Sequence, residues 1–115
     1  MILFLLSLQS FTCTPARIKD GDTFTCRSGE IVRLADIDTP EVRTRCYAER
    51  ILAIRARNRL AELLRRPFTL ERSGRNRDRN GRLLRVVVQN GQSIGNQLVS
   101  EGLARTWTGR RLPWC

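Results

Sequence analysis

The sequence predicts an α+β domain that is mainly β: a five-stranded barrel carrying one long and one short helix. Three observations lead there. Short β-rich segments recur between turn dipeptides at Asp20-Gly21, Ser28-Gly29 and Asn90-Gly91. One longer stretch, residues 47–65, repeats apolar residues at helical spacing. The resulting order, β-β-β-α-β-β-α, sets one long helix among short twisted strands, which suits a small barrel of the OB type. The chain has 115 residues, enough for one such domain and no more.

Each element has a local reason. Residues 17–19 and 23–26 read as hairpin arms around the Asp20-Gly21-Asp22 turn. Residues 30–37 read as a third strand, stopped before Asp38-Thr39-Pro40 because Pro40 has no N–H to donate. In residues 47–65 the apolar stripe is Ala48, Ile51, Leu52, Ala56, Leu60 and Leu63 or Leu64, and Pro67 ends the helix. Residues 68–72 read as a strand and 73–82 as a loop rich in Gly, Asn and Arg. Residues 83–89 form a strand around Val86-Val87-Val88, closed by Asn90-Gly91. Residues 93–101 form a short helix, with Ser93 as its cap and Gly102 as its stop.

Charge narrows the function classes. There are 21 basic and 11 acidic residues, a formal net charge of +10, and no histidine. Without histidine there is no Ser-His-Asp triad, Cys-His pair, His-containing zinc site or imidazole base. The charge is uneven. Residues 16–41 hold four basic and six acidic side chains, whereas residues 42–85 hold 14 arginines and four acids. A polyanion such as nucleic acid is the implied partner, but a simple polycation has no need of the acidic stretch.

Residues 1–8 are apolar and uncharged but too short to span a bilayer. Residues 1–10 read as a truncated secretory signal, the alternative being a first strand, and no other segment suits a membrane. The four cysteines lack the close pairs of a zinc site. Their even number beside a signal-like start favours two disulfides and a secreted or periplasmic protein. Of the three connectivities, Cys13–Cys26 is favoured because the hairpin arms bring those two near each other. Cys46–Cys115 follows by elimination and ties down residues 109–115.

Asp20, Asp22, Asp36, Asp38 and Glu41 place five carboxylates within 22 residues. Two chain reversals can collect them as hard oxygen ligands for Ca²⁺ or Mg²⁺, although either segment alone is ordinary turn chemistry. Arg33 within a strand and Arg82 after Asn80-Gly81 are candidate phosphate forks, or else solvated arginines. Together, Asp20-Gly21-Asp22-Thr23, Arg33-Leu34, Ile37-Asp38-Thr39-Pro40-Glu41, Asp78-Arg79-Asn80-Gly81-Arg82 and the run from Leu98 to Ala104 closely resemble the staphylococcal nuclease family.

The resemblance covers residues 11–108 and implies a role at each matching position. Calcium ligands fall on Asp22, Asp38 and the Thr39 carbonyl, with Asp20 beside them. The catalytic glutamate falls on Glu41, and the phosphate-binding arginines on Arg33 and Arg82. The implied fold is an OB barrel. The implied reaction is Ca²⁺-dependent hydrolysis of DNA and RNA, leaving 5′-hydroxyl and 3′-phosphate ends, with Mg²⁺ or Mn²⁺ as other metals of the same chemistry. The chain is read as a monomer. With no histidine, a carboxylate is the natural group to activate water.

Departures touch the nucleotide-holding regions: Asn80 stands where the family loop often has an aromatic, and a final helix is not expected after Trp107. Arg79, Asn80 and Trp107 are candidate nucleic-acid contacts, with packing the favoured role for Trp107, Trp114 and Tyr47. Asp36 is expected at the surface. Two other functions compete: a non-catalytic OB module that only binds nucleic acid, and a cationic membrane-active protein. Retention of the acids and arginines argues against the first, and the acidic cluster against the second.

Overall fold

The computed structural model describes residues 10–115. The apolar segment read as a signal therefore lies, for residues 1–9, outside the described residues. In chain order the elements are β1 (Ser10–Phe11), β2 (Pro15–Asp20), β3 (Thr23–Cys26), β4 (Ile31–Leu34), β5 (Ile37–Asp38), α1 (Tyr47–Leu63), β6 (Thr69–Arg77), β7 (Leu83–Gln89), β8 (Gln92–Ser93), α2 (Ile94–Ser100) and β9 (Arg105–Thr106). The main sheet runs β1-β6-β7-β4-β3-β2, with β8 added to β7, while β5 and β9 form a separate ribbon. The pairing of β4 with β7 is parallel.

The domain is mainly β with one long and one short helix, as expected. Its sheet is not closed into a barrel among the described residues: the path from β1 to β2 stays open. Separately, what reads as one strand over residues 30–37 is broken into β4 and β5. Ala35 still donates to the Arg85 carbonyl at 2.8 Å. A turn at Ala35-Asp36 then redirects the chain, and Ile37 and Asp38 pair with Thr106 and Arg105 instead. This detour carries Asp38 away from the main sheet.

A second difference is at β6, which continues to Arg77 through residues expected to be a loop. Apolar alternation is absent there, so periodicity could not reveal it. The arm is held instead by Arg85, a buried arginine on β7. Its guanidinium donates to the Asn76 carbonyl at 3.1 Å and to Asn76 Oδ1 at 2.8 Å. Burial, reinforced by Arg72 and Arg77, holds its pKa below the usual arginine value. At the far end of β7, Asn90 (φ 53°) and Gly91 (φ 75°) both take the positive φ that a tight two-residue hairpin turn needs.

The core gathers Phe24, Val32, Leu34, Ile37, Leu60, Leu70, Val87 and Leu98. Phe24 meets Phe68 edge-on, with ring centroids 6.2 Å apart. Helix α1 lies on this core by a stripe that differs from the expected one. Glu49, Ala53, Ala56 and Leu60 are buried, followed by Leu64 beyond the helix end, while Ile51 is exposed. The small residue Ala56 lets the helix come close to the β2–β3 turn. A Cβ added at Gly21 would sit 2.7 Å from Ala56 Cβ and 3.1 Å from Thr39 Cγ2. Gly21 thus permits the approach that sets its neighbour Asp22 beside Thr39.

Disulfides join Cys13 to Cys26 and Cys46 to Cys115. Cys46 also caps α1, its sulfur accepting from the Glu49 N–H at 3.4 Å. Ser93 caps α2 through the Asn96 N–H and donates to Asp36 Oδ2 at 2.6 Å. Asp36 is therefore not a free surface acid: it is partly buried and tied to the start of α2. Among the described residues no helix is long and apolar enough to cross a membrane.

Candidate active site

The β2–β3 turn delivers Asp20 and Asp22, strand β4 delivers Arg33, and β5 delivers Asp38. Together with Glu41, Arg82 and Trp107 they line one groove of about 800 Å³. Arg17, Lys19, Arg43 and Arg57 add positive charge to its walls. Residues from sequence positions 17 to 111 thus converge on one place. Arg79 and Asn80 do not: both are exposed on the turn before Arg82 and are not among the groove-lining residues. Tyr47 is also exposed, on the first turn of α1.

The carboxylates differ in environment. Asp22 and Asp38 are buried. Asp22 accepts from the Thr23 hydroxyl at 2.8 Å and from the Thr39 N–H at 3.2 Å. Asp20 accepts from the Val42 N–H at 3.1 Å, which steadies the loop bearing Glu41. Glu41 itself is exposed, a placement suited to meeting water and substrate.

Each arginine is tethered by its neighbours. Arg33 donates to the carbonyls of Leu34 and Ile37, lies 3.6 Å from Asp22 Oδ2, and packs over Trp107 at 5.6 Å from its ring centroid. Trp107 therefore forms a wall that supports Arg33, with 38% of its surface exposed toward solvent. Arg82 is held by Asp78, whose carboxylate accepts from Arg82 Nε at 2.6 Å and from the Arg82 and Asn80 backbone N–H groups at 2.9 Å. Desolvation works to raise the Asp78 pKa, but these hydrogen bonds and the Arg82 charge outweigh it and hold the carboxyl below its usual range.

A depressed carboxyl contributes stability above its unfolded pKa and loses it as pH falls through the folded value. Asp78→Asn is expected to cost about 1–2 kcal/mol at neutral pH, because several charge-assisted bonds weaken. Thermal melts of both proteins should converge as the pH drops below the ordinary Asp range. A difference that is the same at neutral and strongly acidic pH would refute this account.

Two groups in the site escaped sequence reasoning. Glu49, in the first turn of α1, accepts from the Glu41 N–H at 2.9 Å and the Thr44 hydroxyl at 3.0 Å. Burial works to raise its pKa, yet these bonds and Arg111 draw the carboxyl below its usual value. Its signal was present: Glu49, Ala53, Ala56 and Leu60 share one helical face. Arg111 is the other. It reaches Asp38 Oδ1 at 2.8 Å and Glu49 Oε2 at 2.9 Å. Nothing local in its sequence marks it, because its partners are 73 and 62 positions away.

The donor chemistry fits a hard divalent cation. Asp22, Asp38 and the Thr39 carbonyl are oxygen ligands, and Thr39 Oγ1 is buried without a hydrogen-bond partner. Among the described residues no three acidic or cysteine side chains cluster tightly enough to enclose an ion by themselves. Water and substrate oxygens would have to complete such a site, as is usual for Mg²⁺ and common for Ca²⁺.

Comparison with known proteins identifies the family. The family model described as staphylococcal nuclease homologue matches residues 31–112. A Haemophilus influenzae protein described as an uncharacterized endonuclease is 32% identical over 108 residues. The match takes in 90% of this chain and 56% of that relative, so the chain spans little more than half of the relative's length. The family match includes β4, β5, the Arg82 turn and Arg111, and on it the chain belongs to the staphylococcal nuclease family.

Proposed function

We propose that the chain is a secreted or periplasmic, calcium-dependent nuclease that hydrolyses phosphodiester bonds of DNA and RNA. The observation that carries this reading is the convergence of Arg33, Arg82 and Glu41 with two buried aspartates around one basic groove. Two disulfides favour an oxidising compartment. The basic walls draw in the polyanion, and binding is expected to weaken with salt.

Glu41 orients and deprotonates the attacking water. The new O–P bond forms as the P–O5′ bond breaks, leaving a 3′-phosphate, while O5′ takes a proton and becomes a 5′-hydroxyl. Arg33 and Arg82 meet the non-bridging oxygens, where charge accumulates in the transition state. Their carbonyl and carboxylate tethers fix them before substrate arrives, so little ordering is needed during the reaction. Asp22, Asp38 and the Thr39 carbonyl would hold the cation, whose chemistry is to neutralise a phosphoryl oxygen and position the phosphate.

Incubation of the oxidised protein with labelled single-stranded DNA and RNA tests the proposal. Cleavage with Ca²⁺, loss of cleavage in EDTA and products ending in 5′-hydroxyl and 3′-phosphate are expected. Salt-sensitive binding without cleavage under any metal would make the domain a non-catalytic nucleic-acid module instead.

A further inference from the structure

The proposed chemistry does not use Arg111, yet its guanidinium occupies the acidic end of the groove. Nη1 donates to Asp38 Oδ1 at 2.8 Å and to the Thr39 carbonyl at 3.2 Å. Nη2 donates to Glu49 Oε2 at 2.9 Å, and Nε lies 3.8 Å from Glu41 Oε1. Two of the three oxygens suited to a cation are therefore already engaged by a positive charge.

The tail that carries Arg111 is anchored on both sides of it. Upstream, β9 pairs with β5, aligning Arg105 with Asp38. Downstream, Trp114 lies under Arg105, whose guanidinium carbon is 3.7 Å from the ring centroid. The Trp114 indole N–H also donates to Asp38 Oδ2 at 3.3 Å. Cys115 is then bonded to Cys46 at the start of α1. Each carboxylate oxygen of Asp38 thus accepts a hydrogen bond from the tail, one from Arg111 and one from Trp114.

We propose that Arg111 is a built-in competitor of the divalent cation, holding Asp38 and the Thr39 carbonyl until the tail is displaced. The inference rests on the metal-dependent reading of the site. An oxygen lone pair that accepts a guanidinium N–H is not free for a metal ion, and two cations on one carboxylate repel each other. The contact is also releasable. Arg111 is more than a third exposed, and Glu49 keeps its bonds from the Glu41 N–H and Thr44 when it leaves. Metal affinity in this chain is therefore set by how firmly the tail is anchored, in addition to the ligands themselves.

Calorimetric titration of Ca²⁺ into the wild type, Arg111→Ala, Arg111→Lys and Cys115→Ser tests this, with circular dichroism as the check on folding. Arg111→Ala should bind Ca²⁺ at least tenfold more tightly. Arg111→Lys should fall between it and the wild type, because an ammonium cannot fork across Asp38, Thr39 and Glu49 together. Cys115→Ser frees the tail without touching the carboxylates and should also bind more tightly. It carries the test if Arg111→Ala does not fold. Ca²⁺ should raise the melting temperature of the tighter-binding variants more than that of the wild type. Equal or weaker Ca²⁺ binding by the folded variants, with binding by the wild type, overturns the competition alone. Cleavage that persists in EDTA, with no binding of Ca²⁺, Mg²⁺ or Mn²⁺ by any of the four proteins, overturns the metal-dependent reading and the competition with it.

Discussion

Glu41→Gln is expected to reduce turnover by roughly 10²–10⁴-fold, the range typical of losing a general base. The substitution preserves shape and leaves the Glu41 N–H bonded to Glu49. The loop should therefore stay in position, and thermal stability should change little. Removing one negative charge from the groove should leave substrate affinity equal or slightly stronger. Loss of kcat with KM flat or lower is the signature of an interaction made in the transition state. Single-turnover rates with excess enzyme, paired with filter binding, separate these terms. A rate within twofold of the wild type would remove Glu41 from the mechanism. No histidine exists in the chain to act as a substitute base.

Arg33→Ala should combine a catalytic and a structural loss. The catalytic part is expected at roughly 10²–10³-fold in kcat, as for other preorganised transition-state donors. The structural part follows from its tethers. The Leu34 and Ile37 carbonyls lose a donor, and Trp107 loses the guanidinium packed on its face. That should cost about 1–3 kcal/mol. Arg33→Lys separates the two parts. It keeps the positive charge near Asp22, so stability should recover partly, but it lacks the planar fork, so activity should stay low. Full activity in Arg33→Lys would show that charge alone suffices there.

The elements most legible in the sequence were those with purely local causes. The arms around Asp20-Gly21-Asp22, the strand ending at Asn90-Gly91 and the helix capped by Ser93 each depend on residues a few positions apart. The long helix was legible in extent but not in orientation. Its buried face includes a glutamate, and hydrophobic periodicity passes over a polar residue that is buried through hydrogen bonds. Strand β6 ran past its expected end because Arg85 and Asn76 hold it, without any apolar alternation. The turn at Ala35-Asp36 was hidden inside an unbroken strand-like run, since its cause is a partner strand far along the chain.

In the site, the carboxylates and arginines were legible as a pattern of residue types. The structure gathers Asp20, Asp22, Arg33, Asp38, Glu41 and Arg82 around one groove. The contacts of Arg111 were not legible, because ion pairing across 62 or 73 positions leaves no trace in local spacing.

The ribbon of β5 and β9 also constrains the order in which the molecule can be made. Asp38 is translated well before its strand partner Arg105. The parallel pairing of β4 with β7 imposes a similar wait. A nascent chain with its first carboxylates exposed thus lacks both Arg82 and the ribbon that frames Asp38. Pairings so distant in sequence form slowly. The groove should be among the last features of the domain to assemble.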